Sequence, residues 1–185
     1  MPDALSPRVA PSCNGLSISL EGSATLGILF LSTKNSGRTF SFIFSLGYGG
    51  FFNNLWFQGK WHPFHQLNPA TGISIQWQEL YPIYLACMLW APLWANRRIC
   101  FHCDNQATVA ILSAKSSKIP RIMNLVRLIT LQTLKFNFTF SAKHVPGLDN
   151  GIADSLSRFQ MARFRLLAPD ASPVPCQIPH FLTKV

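Results

Sequence analysis

Three acidic side chains stand at positions where a charge is unusual in this chain. The sequence holds seven Asp and Glu residues, and Glu79, Asp104 and Asp154 each border an otherwise apolar segment. They lie 25 and 50 positions apart (104 − 79 and 154 − 104), so only tertiary folding could bring them together. Clustered carboxylates repel one another unless a cation compensates, and their oxygens suit Mg²⁺ or Mn²⁺. Such a cluster would support phosphodiester hydrolysis by two metal ions.

Each acid also has a simpler structural interpretation. Glu79 could be a residue at a helix start that the macrodipole stabilises by about 0.3 to 1 kcal/mol. Asp104 could cap the helix that follows it, and Asp154 could pair with Arg158 four positions later. For each acid taken alone the structural interpretation is preferred, so the site interpretation depends on the three acids acting together.

The composition describes a folded, basic protein. Hydrophobic residues make up 48% of the chain and charged residues 12%, which excludes the low-hydropathy, high-charge class of disordered chains. The net charge of +9 favours an anionic partner such as nucleic acid or an acidic membrane surface. A basic protein without such a partner is an equal alternative on charge alone.

The cysteines and the apolar segments indicate the compartment. Five cysteines form an odd set, which favours buried thiols in a reducing compartment over a disulfide framework. Cys100 and Cys103 form one C-x-x-C without a second pair, so we interpret them as core thiols and not as zinc ligands. The apolar run 24–31 is too short to span a bilayer. We therefore expect a soluble intracellular protein, cytoplasmic or nuclear, with no membrane partner.

The first half of the chain favours strands followed by a helix. Residues 28–32 and 39–45 are short apolar runs that predict strands, and residues 46–52 and 55–61 predict a hairpin across Asn53 and Asn54. Apolar spacing predicts a helix from Gln78 to about Trp94, with Glu79 at its start on the buried face and Pro82 in its first turn.

The second half favours strands that alternate with helices. Residues 99–103 predict a strand that ends at Asp104, and Asn105 is a plausible N-cap for a helix through Ser113. A helix follows from 117 or 118 to about 134, then a strand through Phe136, Phe138 and Phe140. The remaining predictions are a loop over 144–149, a helix over 152–159 and an extended or disordered tail after 168. This order predicts an α/β fold whose mixed sheet has antiparallel hairpin strands followed by parallel strands, flanked by helices.

The order of these motifs resembles the ribonuclease H domain of retroelement reverse transcriptases. Within that family the chain is most similar to the version in DIRS-type elements, which encode a tyrosine recombinase, over about residues 45–179. The motifs that carry the resemblance are Trp77-Gln-Glu79-Leu-Tyr-Pro82, Phe101-His-Cys-Asp104-Asn105, Ser117-Lys118 with Ile122-Met123, His144-Val-Pro-Gly147, Ala153-Asp154-Ser-Leu-Ser-Arg158-Phe159 and Phe164-Arg165-Leu-Leu-Ala-Pro169.

The resemblance implies a fold, a domain division and an activity. It implies a ribonuclease H-like domain over residues 39–160, after an irregular N-terminal segment over 1–38 and before a Pro-rich tail or linker over 161–185. The family hydrolyses the RNA strand of RNA–DNA hybrids as a two-metal endonuclease, and it reads groove shape and 2′-hydroxyls. The resemblance thus implies RNA–DNA hybrid or duplex as the partner, and a place within a larger retrotransposon polyprotein that carries a reverse transcriptase.

The resemblance also assigns roles to individual residues. It implies that Glu79, Asp104 and Asp154 are catalytic ligands of Mg²⁺ or Mn²⁺, and that His144, in a flexible loop, assists proton transfer or product release. Four further residues are candidate nucleic-acid contacts: Asn105 and Asn150, which match family positions near the substrate or supporting the last helix, and Arg121 and Lys143, for which a solvated surface is the equal alternative.

The chain departs from the family pattern at one position. The family carries an Asp on its first strand that bridges both metal ions, whereas the corresponding stretch here, residues 40–45, has no acid, and none occurs between Glu21 and Glu79. We therefore expect weak metal binding and hydrolysis reduced by orders of magnitude. The alternatives are a non-catalytic nucleic-acid-binding remnant and a degenerate fragment without a selected function.

Overall fold

A five-stranded mixed sheet forms the centre of the part of the chain that the structure describes. The structure is a computed structural model and describes residues 46–146 and 150–185, together with the backbone of residues 26–30. The strands lie in the order β3-β2-β1-β4-β5. Their bounds are Leu26–Phe30 (β1), Gly47–Phe52 (β2), Leu55–Lys60 (β3), Arg98–Cys103 (β4) and Thr139–His144 (β5).

Strand directions divide the sheet into two parts. β2 runs antiparallel to both β1 and β3, whereas β1, β4 and β5 are parallel to one another. This confirms the predicted mixed α/β sheet with an antiparallel hairpin followed by parallel strands. Because β1, β4 and β5 are parallel, their carboxyl ends lie at one edge of the sheet, which we call the carboxyl edge, as α/β sites commonly require.

The β2–β3 hairpin forms where the sequence predicts it. Asn53 and Asn54 connect the two strands with φ values of 46° and 65°, and asparagine tolerates this left-handed region better than most residues. The strands then pair from Phe52↔Leu55 to Gly47↔Lys60. The hairpin prediction is confirmed.

Helices cover both faces of the sheet. Tyr48 and Phe52 of β2 contact Tyr81 and Trp90 on one face, whereas Phe51 contacts Phe164 on the other. The first face is covered by α1, α2 and α3, and the second by α4 and α5. Their bounds are Ile75–Trp90 (α1), Gln106–Ala114 (α2), Pro120–Phe136 (α3), Gly151–Ser157 (α4) and Met161–Leu167 (α5), with short 3-10 helices at Pro63–His65, Pro69–Thr71, Ala91–Trp94 and His180–Lys184.

The first strand departs from the predicted domain division. We expected residues 1–38 to form an irregular segment before the domain, although residues 28–32 had strand character. Instead Leu26–Phe30 lies in the middle of the sheet, paired with β2 on one side and β4 on the other. The other predicted strand, over 39–45, lies outside the described residues.

Helix α1 begins earlier than predicted. Ser74 is its N-cap, and the Ser74 hydroxyl accepts a hydrogen bond from the Trp77 N–H at 3.3 Å. Pro82 therefore lies inside the helix and not in its first turn, so the carbonyl of Gln78 lacks its usual helical donor. Glu79 is likewise beyond the first turn, which excludes the macrodipole interpretation of this acid.

Two boundaries near β5 differ from the prediction. Phe136 ends α3 and does not begin a strand, because Asn137 closes the helix in the left-handed region with φ of 50°. His144 is the last residue of β5 and not part of a flexible loop. Of the predicted loop, Val145 and Pro146 have no regular secondary structure. Residues 147–149 lie outside the described ranges.

The C-terminal segment is ordered against the domain and is not a free tail. The Ser172 and Cys176 N–H groups each donate to carbonyls of the hairpin, of Asn54 and Trp56, at 2.7 Å. Leu182 then enters the main hydrophobic core. Residues 161–185 thus include α5 and a segment that covers the outer edge of β3, in contrast to the predicted linker.

Aromatic side chains form a large part of the core. Trp56, Trp77, Trp90 and Trp94 are all buried, so they pack inside the protein and are not available to stack on bases. No helix in the described residues is both long enough and apolar enough to cross a bilayer.

Candidate functional site

The carboxyl edge brings two of the three predicted acids close together. Asp104 follows directly after β4, and Glu79 reaches the same place from the second turn of α1. Burial raises the pKa of the Cys103 thiol, and the nearby charges of Glu79 and Asp104 raise it further. Both carboxylates therefore lie within electrostatic range of one buried sulfur, as expected if the end of a parallel strand carries the site.

The Glu79 carboxylate is buried and held at both oxygens. It is 4% exposed. Its Oε1 accepts a hydrogen bond from Asn105 Nδ2 at 3.1 Å, and its Oε2 accepts one from Thr108 Oγ1 at 3.0 Å. A buried carboxylate is costly unless such donors satisfy it. These bonds join α1 to the start of α2 and fix the carboxylate next to β4.

Asn105 has two structural tasks at this edge. Its Oδ1 accepts hydrogen bonds from the N–H groups of Ala107 at 2.8 Å and Thr108 at 3.2 Å, so the predicted N-cap is confirmed. Its Nδ2 donates to Glu79. Because Asn105 is the cap, the interpretation of Asp104 as the capping residue is excluded.

His144 reaches the site across the sheet. It pairs with Cys103 in the β4–β5 register, and its Nε2 lies 3.2 Å from the Asp104 carbonyl oxygen. At that distance the ring nitrogen donates to the carbonyl if it carries the proton. His144 is exposed, so it lies beside Asp104 on the solvent side, which is compatible with a role in proton transfer.

Asp154 is held by arginines on the opposite face of the sheet from α1. It lies on α4, and its Oδ1 accepts from Arg158 Nε at 2.7 Å while its Oδ2 accepts from Arg163 Nη1 at 2.8 Å. The pairing with Arg158 that the spacing allowed is therefore present. Both carboxylate oxygens are compensated by guanidinium groups from α4 and α5.

The described residues do not fit a two-metal centre as they stand. No group of three or more His, Cys, Asp and Glu side chains converges on one point within the ranges that the structure describes. All four carboxylate oxygens of Glu79 and Asp154 accept hydrogen bonds from protein side chains. The β1 sequence, Leu-Gly-Ile-Leu-Phe, also supplies no carboxylate next to β4.

The other predicted contact residues lie in different environments. Lys143 is exposed on β5 and Arg121 is exposed at the start of α3, so both can reach an anion. Asn150 is 1% exposed at the N-terminal boundary of α4. Burial favours its role in supporting the last helix over direct contact with nucleic acid.

Two residues of these networks were not predicted from the sequence. Thr108 lies 29 positions from its partner Glu79, and no local pattern connects them. Arg163 lies nine positions beyond Asp154, outside the i, i+4 spacing that identified Arg158. Only the packing of α2 on α1 and of α5 on α4 creates these contacts.

Neither a protein-family model nor a curated protein sequence matches this chain. Its function is therefore inferred from its own residues.

Proposed function

We propose that this chain is a ribonuclease H-like, nucleic-acid-binding domain from a retrotransposon polyprotein whose hydrolytic centre is impaired. Its ligand is an RNA–DNA hybrid or a related duplex. Its ancestral activity is Mg²⁺-dependent hydrolysis of the RNA strand. The observation that carries the proposal is the group formed by Glu79, Asp104, Asn105 and His144 at the carboxyl edge, where the sequence motifs expect them.

The sheet topology supports the same proposal. An antiparallel hairpin followed by parallel strands, with β1 in the centre, places the residues after β4 and at the end of β5 at one edge. Lys143 is exposed next to the end of β5, and Arg121 is exposed at the start of α3. The net charge of +9 supplies the long-range attraction that a polyanionic ligand requires.

The proposed impairment of hydrolysis rests on the hydrogen bonds that Glu79 and Asp154 accept from other side chains. Magnesium binds oxygen ligands, and it would have to compete with protein donors here, since the Glu79 oxygens accept from Asn105 and Thr108 and the Asp154 oxygens accept from two arginines. The first strand adds no acid. Binding of nucleic acid is retained in this proposal, and efficient hydrolysis is not.

Equilibrium binding tests the first part of the proposal. A fluorescently labelled RNA–DNA hybrid is titrated with the protein at several NaCl concentrations, and the anisotropy gives the affinity. We expect log K to fall linearly with log salt, as counterion release requires. Absence of binding would refute the first part of the proposal, and an affinity that does not change with salt would refute binding through the phosphate backbone.

A cleavage assay tests the second part. The labelled hybrid is incubated with Mg²⁺ and either the wild type or Asp104→Asn, which keeps the size of the side chain but removes its charge. Slow cleavage by the wild type and none by Asp104→Asn would identify a residual centre. Equal background from both proteins would favour the alternative of a non-catalytic nucleic-acid-binding remnant, and rapid cleavage by both would contradict the proposed site.

A further inference from the structure

One face of the β4–β5 pair has no helix of the described chain packed over it. Ile99, Phe101 and Cys103 point into the main core with Phe140 and Ala142 of β5. Because side chains alternate along a strand, the intervening residues of both strands point to the other face. We call this the open face, and it consists of Arg98, Cys100 and His102 on β4 and Thr139, Ser141 and Lys143 on β5.

The helices of the described residues leave most of the open face accessible. The helix that packs on β5 is α2, and Lys115 at its end lies 5.4 Å above the Phe140 ring, so α2 covers the opposite side. α4 and α5 pack around β2, β3 and Trp56. Four members of the open face are exposed: Arg98, Thr139, Ser141 and Lys143. His102 is partly buried, and Cys100 is 2% exposed.

The open face is basic and rich in hydroxyl groups. Arg98 and Lys143 carry positive charge, Thr139 and Ser141 carry hydroxyls, and neither strand contains an Asp or Glu. His102 pairs with Lys143 in the register. Burial and the charge of Lys143 lower the pKa of His102.

The dimensions of the open face suit an extended anion. Arg98 lies four residues before His102, whose register partner is Lys143. Arg98 and Lys143 are therefore roughly 13 Å apart along the strands, at about 3.3 Å per residue. Phosphates of one strand repeat at about 3.4 Å along a duplex axis. Cations at the two ends of the open face can therefore contact different phosphates of one backbone.

We propose that the open face is a second contact surface for the phosphate backbone of nucleic acid, which extends from Lys143 near the carboxyl edge to Arg98 at the far end of β4. Complementary charge selects this ligand, since the surface presents two cations and three further polar groups without an acid. The inference rests on the nucleic-acid binding of the proposed function but not on its hydrolytic centre.

A pair of double variants tests this proposal. Arg98→Ala with Lys143→Ala removes both cations from the open face. Arg127→Ala with Lys135→Ala removes the same charge from exposed positions on α3 and is the matched control. Binding of the labelled RNA–DNA hybrid is measured for both variants and the wild type at several salt concentrations, and a labelled poly-glutamate peptide serves as a second anionic probe.

The expected outcome is a smaller salt dependence for the open-face variant alone. Each lost phosphate contact should reduce the slope of log K against log salt by about 1, so the open-face variant should lose about 2 and the control much less. Equal slopes for both variants would refute the open face as a contact surface for phosphates, while the proposal that the chain binds nucleic acid would stand. Absence of hybrid binding by the wild type would refute both proposals, and a face that binds poly-glutamate but no nucleic acid would also overturn this one.

Discussion

At the residue scale, Glu79 links helix α1 to the start of helix α2 at the carboxyl edge. Its two oxygens accept hydrogen bonds from Asn105 and Thr108, and its charge lies close enough to Cys103 to raise the thiol pKa. A carboxylate that is 4% exposed persists in a fold only when its donors are present. Glu79 therefore contributes to stability as well as to the candidate site.

Replacement of Thr108 by valine should expose this dependence. Thr108→Val keeps the shape of the side chain but removes the hydroxyl that donates to Glu79 Oε2. A hydrogen bond to a charged group contributes about 1.5 to 3 kcal/mol, and we expect a loss of this size in the free energy of unfolding, measured by urea denaturation.

Thr130→Val is the matched control for this measurement. The Thr130 hydroxyl donates only to the Val126 carbonyl of its own helix at 2.8 Å, so its loss should change the free energy of unfolding by less than about 0.5 kcal/mol. Equal effects of the two substitutions would contradict the assignment of the Glu79 network.

Local spacing predicted some residue contacts but could not predict others. Asn105 was identified as a cap because its residue type and position before an apolar run are sufficient. The Asp154–Arg158 pair followed from i, i+4 spacing. The contacts of Thr108 with Glu79 and of Arg163 with Asp154 join different helices, so they depend on helix packing that no local pattern contains.

At the element scale, helix α4 packs against β2 through the small residues of that strand. A Cβ placed on Gly49 would lie 2.7 Å from the Cβ of Leu156 and 3.0 Å from the Phe57 carbonyl oxygen. Such distances leave no room for a side chain. The close approach brings α4, and with it Asp154, near the sheet.

Gly49→Ala should therefore separate α4 from the sheet. An extra methyl group in such a tight contact lowers the free energy of unfolding by about 1 to 3 kcal/mol. We therefore expect the thermal midpoint to fall. Gly151→Ala is the control, because its Cβ would meet the flexible end of the partly exposed Leu167 at 3.3 Å and should change stability by about 0.5 kcal/mol or less. If Gly49→Ala leaves the thermal midpoint unchanged, α4 does not pack closely against Gly49 of β2.

The ordered C-terminal segment gives a second prediction for an element. Leu182 is 3% exposed within the main core, whereas its neighbour Phe181 is 69% exposed. Leu182→Ala should cost about 2 to 5 kcal/mol in the free energy of unfolding. Phe181→Ala should change it by less than about 0.5 kcal/mol. Equal, small effects of both substitutions would contradict the docking of this segment in the core.

Element boundaries were predictable where a short-range signal fixes them. Asn53 and Asn54 tolerate the backbone angles of a tight hairpin, so β2 and β3 could be predicted from the sequence. Phe136 alternates with Phe138 and Phe140 as a strand would, yet it belongs to α3, since the helix continues until Asn137 adopts the left-handed conformation. Alternation alone does not distinguish the last turn of a helix from a strand.

At the scale of the whole molecule, the sheet order determines which residues can meet. The class of fold was predictable because an apolar hairpin followed by strands that alternate with helices has few topological solutions. The identity of the central strand was not, because residues 28–32 and 39–45 have the same local character and only pairing with β2 and β4 selects Leu26–Phe30.

The same order concentrates the candidate functions on one side of the molecule. The carboxyl ends of β1, β4 and β5 share an edge, and Lys143 joins that edge to the open face. A nucleic acid bound there would contact β4, β5 and the start of α2. It would leave β3 and α5, at the other side of the sheet, untouched.

The most direct test is to map the backbone amides that respond to an RNA–DNA hybrid by NMR. We expect chemical-shift changes on titration with the hybrid to concentrate at Asp104, Asn105 and His144, with none at Trp56 in β3 or Phe164 in α5. Changes centred on β3 and α5, or no changes at saturating hybrid, would contradict the proposal that the carboxyl edge binds nucleic acid.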